Sequence, residues 1–253
     1  MSGIDWKLEG RTFVVTGASS GMGEETSKFL GKCKANVVLQ GRDSKRLKKV
    51  ADQVAALGGK ALIVELDLED VTHSPTLIDK TVESFGQIDG LVLNASVFEP
   101  IPFADVKLDS ITRQWNTNVV SHYLIAQRAV PSMKKGSSIV FVSSTTAHVG
   151  FATCSAYAAT KGAINAVART LAVELAPNGI RVNTIEPGFV KTPMLIPILE
   201  AYPGYEESLL PRTPVGRLGQ PEEIGATIAF LLSGLAPYIN GVTLPVDGGW
   251  TAS

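Results

Sequence analysis

The sequence predicts an α/β protein: a doubly wound parallel sheet of about seven strands with helices on both faces. Three observations carry that expectation. Short apolar runs recur along all 253 residues and alternate with segments of helical period. The first run passes directly into a glycine turn that opens a helix, so strands and helices follow as βαβ units with right-handed crossovers. No internal repeat, low-complexity tract or composition break divides the chain, and one domain over 1–253 is expected.

The first strand, 12–16, leads into Gly17-Ala18-Ser19-Ser20-Gly21-Met22-Gly23, after which a helical period runs through Lys32. Backbone N–H groups and a helix dipole meet an anion at such a junction. The spacing is Gly-x-x-x-Gly-x-Gly, with no Gly-Lys-Ser/Thr to make a nucleotide-hydrolase loop, and its place after the first strand favours a dinucleotide. The second strand, 36–40, ends in Gly41-Arg42-Asp43, where an adenosine ribose would be read. A carboxylate there binds a free 2′-hydroxyl, whereas an arginine grips a 2′-phosphate. Arg42 comes first and Gly41 leaves room beside it, so NADP(H) is preferred; NAD(H) is the alternative, through Asp43.

A charged helix over 45–57 stops at Gly58-Gly59, and the third strand, 61–65, is followed by Asp67-Leu68. Asp67 either meets an adenine amino group or caps the next turn. A helix over 77–85 precedes the fourth strand, 88–93, which closes with the small residues Asn94-Ala95-Ser96, suited to backbone passing close to a ligand. One long helix is expected over 108–133. Asn118 interrupts its apolar surroundings, either as a satisfied structural amide or as part of a site.

The run 139–142 reads as a strand buried on both faces, and a helix follows over 156–176. On it Tyr157 and Lys161, four residues apart, share a face. The ammonium is expected to favour the phenolate and pull a pKa of about 10 downward. A phenol tuned this way is a candidate acid/base, and Ser144 at the strand exit can hold a polar substrate atom. Taken alone, the pair also fits a surface tyrosine with a lysine one turn away. The sixth strand, 180–185, is followed by Glu186-Pro187-Gly188-Phe189-Val190-Lys191-Thr192-Pro193, expected beside the cofactor. From 194 to 214 the period is lost and four prolines interrupt apolar groups, which suggests a lid, at about 189–214, over an apolar pocket. Irregular core or a subunit contact are the plainer readings. A final helix to about 232 and a strand over 242–246 complete the chain.

Lys and Arg total 23 against 24 Asp and Glu, a net charge of −1. No basic stripe suggests a nucleic-acid or membrane surface. Cys33 and Cys154 are too few for a disulfide framework, and three scattered histidines make no metal-ligand set. With no apolar targeting segment and no run near the ~18 residues of a membrane span, a cytoplasmic protein is expected.

From Gly10 to Gly249 the chain resembles the conventional single-domain short-chain dehydrogenases/reductases. The motifs are Thr16-Gly17-Ala18-Ser19-Ser20-Gly21-Met22-Gly23, Asp67, Asn94-Ala95, Asn118, Ser144, Tyr157-x-x-x-Lys161, Asn183, Pro187-Gly188 with Thr192, and Asp247-Gly248-Gly249. Ser144, 13 residues before Tyr157, is selected over Ser143 by that spacing. The resemblance implies a Rossmann-like sheet and hydride exchange between a nicotinamide and a ketone or secondary alcohol. It implies Tyr157 as proton donor or acceptor, Ser144 steadying the substrate oxygen, Lys161 on the nicotinamide ribose, and Asn118 positioning a relay water. Gly17, Ser19, Ser20, Gly21, Met22, Gly23, Arg42, Asp67, Leu68, Asn94, Ala95, Tyr157, Lys161, Pro187, Gly188, Val190 and Thr192 would meet the cofactor. The substrate pocket would use Ser96, Phe98, His148, Phe151, Phe189, Met194 and Leu195 and take a mainly apolar molecule; His148 binds a polar group there or only packs at the rim. A homotetramer or homodimer through helices 111–133 and 156–176 is also implied. Two departures stand out: Ser96 replaces the usual glycine of Asn-Ala-Gly, and Ser20 stands where some NADP-preferring relatives carry a basic residue. The rivals are a catalytically idle cofactor-binding regulator on this fold, an NAD-dependent alcohol or polyol dehydrogenase, and a lyase or dehalogenase relative without the dinucleotide site.

Overall fold

The computed structural model describes residues 4–253. Seven strands form one all-parallel sheet: β1 (Thr12–Val15), β2 (Asn36–Gly41), β3 (Lys60–Glu65), β4 (Ile88–Leu93), β5 (Met133–Val142), β6 (Arg181–Pro187) and β7 (Thr243–Val246). Their order is β3-β2-β1-β4-β5-β6-β7. The direction of winding reverses between β1 and β4, so a crevice opens beyond the C-terminal ends of those two strands.

Side-chain alternation along each strand feeds two cores. Phe13, Val15, Val140, Val142 and Ile185 face one layer, where helices α1 (Gly21–Lys32), α2 (Ser44–Ala56) and α9 (Pro221–Leu232) contribute Leu30, Val50 and Ile228. Val14, Ile139, Phe141 and Val182 face the other, against α3 (Thr76–Phe85), α5 (Ser121–Ala129) and α6 (Ser155–Leu175) with Ile78, Ile125 and Ile164. Each such side chain contributes about 1.5–3 kcal/mol on burial. Strands apolar on both faces therefore sit between two helical layers. Pro245, which has no N–H for the ladder, lies in the edge strand β7.

The helix expected over 108–133 is divided. α4 (Leu108–Trp115) runs into a π-helical turn at Asn116–Val120, closed by Ser121 N–H donating to the Asn116 carbonyl, and α5 continues from there. Pro131 lies in a terminal 3₁₀ turn, Val130–Ser132, and Met133 already belongs to β5. β6 runs two residues beyond the expected end, to Pro187, and places Glu186 inside the sheet. Short helices α7 (Ile196–Ala201) and α8 (Tyr205–Leu209) occupy the aperiodic stretch. Among the described residues no helix is long and apolar enough to cross a membrane, and no cluster of His, Cys, Asp and Glu could hold a metal ion.

Candidate active site

The crevice at the winding reversal begins with Thr16. Its Oγ1 accepts hydrogen bonds from Asn94 N at 2.9 Å and Ala95 N at 3.0 Å, which fixes the turn after β4 to the end of β1. Gln40 braces the other side: Oε1 accepts from Gly17 N at 3.0 Å and Nε2 donates to the Leu66 carbonyl at 2.6 Å. Gly17 and Gly21 adopt φ of +65° and +57°, a region side chains disfavour. A Cβ on Gly23 would lie 2.3 Å from the Gly17 carbonyl oxygen, so backbone fills the space a side chain would need. Ser20 precedes α1 without a side-chain cap, leaving first-turn N–H groups for an anion.

A cavity of about 250 Å³ follows this floor from Gly41, Arg42, Asp67 and Leu68 past Asn94 and Ala95 to Tyr157 and Lys161. Asn94 Oδ1, buried in its wall, has no partner. The glycine cradle, the uncapped helix and that acceptor fit a dinucleotide. Arg42 reaches Asp67 at 3.6 Å, and both side chains are at least half exposed. Asp67 also caps the next turn, accepting from Glu69 N at 3.0 Å. Asp43 caps α2, accepting from Arg46 N at 3.0 Å, with its second oxygen 3.3 Å from Arg46 Nε.

Tyr157 stands in the first turn of α6 and Lys161 one turn later; both are buried. Lys161 Nζ donates to the Val142 carbonyl at 2.9 Å and lies 5.3 Å from the Tyr157 ring centroid. Burial pushes the Lys161 ammonium down to about 7. Burial also pushes the Tyr157 phenol up to about 12, against the opposing pull of the Ser96 and Ser144 hydroxyls. The expected downward pull from Lys161 does not emerge among the groups of this chain: desolvation is the largest influence, and the opposing pulls come from the two serine hydroxyls. Ser143 donates to the Lys161 carbonyl at 3.1 Å and is buried as a structural link, while Ser144 faces the phenol and accepts from Thr146 N at 3.2 Å.

Asn118 sits in the π turn, where one extra residue turns its amide toward the loop after β4. Oδ1 accepts from Val97 N at 2.8 Å, and Nδ2 donates to Val97 O at 3.0 Å and Thr160 Oγ1 at 3.1 Å. The amide thus clamps the loop and makes no bond to Lys161. His122, one turn on, is fully buried, and its pKa is held down to about 3 by burial first and Lys161 second.

A second cavity, about 690 Å³, lies on the other side of Tyr157. Phe98, Phe151, Phe189, Leu195, Ile198 and Tyr205 are among the large side chains of its wall, and among the described residues no Asp, Glu, Lys or Arg lines it. Tyr157, Ser143, Met22, Thr192 and Met194 border both cavities. Phe98 packs edge-on against Tyr157 with centroids 4.9 Å apart. Phe151, Phe189 and Trp250 form an aromatic tier beneath the short helices, and Lys191 of the β6–α7 loop bonds Glu206 of α8 at 2.8 Å.

Comparison with known proteins agrees with this geometry. A family profile described as enoyl-(acyl carrier protein) reductase matches residues 17–251. A short-chain type dehydrogenase/reductase from Mycobacterium marinum, 30% identical, superposes with a TM-score of 0.91 over 98% of each chain. The chain belongs to the short-chain dehydrogenase/reductase family. A short-chain dehydrogenase from Burkholderia cenocepacia, solved in complex with NADP, is 31% identical with a TM-score of 0.90 over 97% of this chain and 99% of its own. An oxidoreductase from Methylorubrum extorquens is 38% identical over 96% of this chain and 98% of its own length.

Within this short-chain dehydrogenase/reductase, several expected residues lie elsewhere. His148 is not on the substrate-cavity wall; its Nε2 lies 3.0 Å from Glu186 Oε1, drawn to a carboxylate buried at the end of β6. Ser96 lines the dinucleotide cleft, because the loop clamped by Asn118 turns it toward Tyr157. Pro187, Gly188 and Val190, expected at the cofactor, line the second cavity, next to Thr192, which borders both. Tyr202 and Tyr205, within the expected lid, line the second cavity; sequence reasoning missed Gln40, His122, Pro100 and Pro102. A polar residue ending an apolar strand marks Gln40, and the aromatic content of the 194–214 stretch marks the two tyrosines; nothing local marks His122.

Proposed function

We propose that this protein is an NADP(H)-dependent oxidoreductase acting on a bulky, uncharged, mainly apolar ketone or secondary alcohol, with Tyr157 as general acid/base. The observation that carries the reading is that Tyr157 borders both cavities, with a dinucleotide-shaped cradle on one side and an apolar chamber on the other. The bound nicotinamide supplies or accepts the hydride. Tyr157 Oη gives its proton to the carbonyl oxygen in reduction and receives one from the alcohol in oxidation. The Ser144 hydroxyl, its oxygen already accepting from Thr146 N, has its proton left to steady that oxygen. Lys161, with its Nζ against the Tyr157 ring, would bond the ribose hydroxyls, and Asn118 keeps the 94–98 loop in register.

Preference for NADP(H) is supported by the commitment of Asp43 to capping α2, by the exposure of Arg42 at the same strand end, and by the NADP-bound relative. Arg42 would meet the 2′-phosphate, with Gly17, Gly21, Gly23 and the start of α1 on the pyrophosphate. The chamber has no cation for a carboxylate or phosphate, and Lys191 at its edge is paired with Glu206, so acyl-carrier thioesters and phosphorylated sugars fit less well than neutral ring-bearing ketones. Exposed Val173 on α6 and Tyr123 on α5 support assembly into a homo-oligomer through those helices.

The test is NADPH and NADH consumption across a panel of apolar, polyol and carboxylate-bearing carbonyls. NADPH oxidation with apolar ketones is expected. Tight NADPH binding without turnover on any member would instead mark a cofactor-binding regulator.

A further inference from the structure

Ser96 is held from both sides. Asn94 and Ala95 before it are pinned to Thr16 Oγ1, and Val97 after it is pinned through both backbone groups to the Asn118 amide. Phe98, two residues on, packs edge-on against the Tyr157 ring. The segment 94–98 therefore arcs around the tyrosine, and Ser96 lines the same cleft as Tyr157 and Lys161. Its Oγ is buried and has no formed hydrogen bond in the protein. A buried hydroxyl left unpartnered bears its full desolvation penalty unless a partner arrives. Tyr157 lines that cleft beside it, and the Ser96 hydroxyl pulls the phenol toward ionisation.

We propose that Ser96 is a positioning residue for proton transfer: its hydroxyl and that of Ser144 bracket the Tyr157 oxygen and donate to it when it is ionised. The inference rests on the acid/base reading of Tyr157. A phenolate oxygen accepts hydrogen bonds more strongly than a phenol, so two donors lower the cost of losing the proton. Ser144 must also serve the substrate oxygen, and a second hydroxyl keeps the phenolate bonded while it does so. The other groups facing the phenol do not replace it. Lys161 lies under the ring and donates to Val142 O, His122 behind the lysine is held neutral by burial, and Cys154 and Tyr205 offer only weakly acidic groups that burial holds in the neutral form. Where the resembled pattern carries glycine after Asn-Ala, this chain adds the hydroxyl.

The experiment compares pH profiles of kcat/KM for NADP⁺-dependent oxidation of 1-phenylethanol by the wild type, Ser96→Ala, Ser96→Gly and Ser96→Thr, with Tyr157→Phe as reference. The positive nicotinamide of NADP⁺ would draw the phenol below the value it has among the protein's own groups, so that both limb and plateau are reached; removing the hydroxyl is expected to move the limb that rises with pH upward by about one unit, a loss of about tenfold at a fixed pH below it, with the alkaline plateau kept. Ser96→Thr is expected to keep the wild-type limb. Ser96→Gly removes the hydroxyl without adding bulk and serves if the alanine variant folds poorly. Superimposable profiles, or an equal loss at every pH, would overturn the inference while an inactive Tyr157→Phe leaves the acid/base reading standing. An active Tyr157→Phe, or a wild type that leaves this alcohol unchanged, would count against the reading itself and remove the basis of this inference.

Discussion

Lys161 Nζ donates a 2.9 Å hydrogen bond to the Val142 carbonyl and so joins the start of α6 to the end of β5. That bond holds a buried ammonium whose pKa falls from 10.5 to about 7. The unfolded chain then binds the Lys161 proton more readily than the folded chain between those values. Stability should therefore rise with pH across the window, and the penalty is complete below pH 7. Urea unfolding of the wild type and Lys161→Met at several pH values checks this. The variant should be the more stable near neutrality, by on the order of 1 kcal/mol or more, and the gap should narrow toward alkaline pH.

Gly23→Ala would drive a methyl group to 2.3 Å from the Gly17 carbonyl oxygen and 2.8 Å from Asn94 Nδ2. The Gly17 backbone cannot yield without opening the cradle, and the Asn94 amide is held by its bond to the Thr16 carbonyl. A loss of stability of about 1–3 kcal/mol is expected together with loss of NADPH binding, read by urea unfolding and by nucleotide fluorescence.

Arg42→Ala should weaken NADPH binding by roughly ten- to a hundredfold, the scale of one charge-assisted hydrogen-bond pair, and leave NADH binding nearly unchanged. Asp43→Ala should cost about 1 kcal/mol of stability through loss of the α2 cap and leave coenzyme choice alone. Paired titrations of both coenzymes separate these outcomes.

These residues also show how far the sequence could be read. The seven strands were legible as short apolar runs, and the glycine turn because no other residue tolerates the approach of Gly17 and Gly23. The division of 108–133 was not legible: the apolar period continues across Asn116–Val120, and the π turn follows from Asn118 reaching out to the Val97 backbone. The burial of Tyr157 and Lys161 was not legible either: sequence spacing puts a charge beside a phenol but says nothing of the water removed from both. His148 and Glu186 lie 38 positions apart in the chain, and only the extension of β6 brings the acid beneath the imidazole.

Phe189 meets Phe151 at 5.6 Å and Trp250 at 4.9 Å, and it forms part of the chamber wall. Phe189→Ala should raise KM for apolar ketones several-fold to about tenfold and change kcat less, because it removes packing that ground and transition states share. Steady-state kinetics on a graded series of ring sizes gives the comparison.

The central claim is that the Tyr157 hydroxyl moves the proton between the two cavities. Its most direct test is kcat for NADPH-dependent ketone reduction by Tyr157→Phe, measured beside the NADPH dissociation constant. A fall in kcat of about a hundred- to ten-thousandfold with cofactor binding retained is the expected result. Near-normal turnover by the phenylalanine variant would contradict the account.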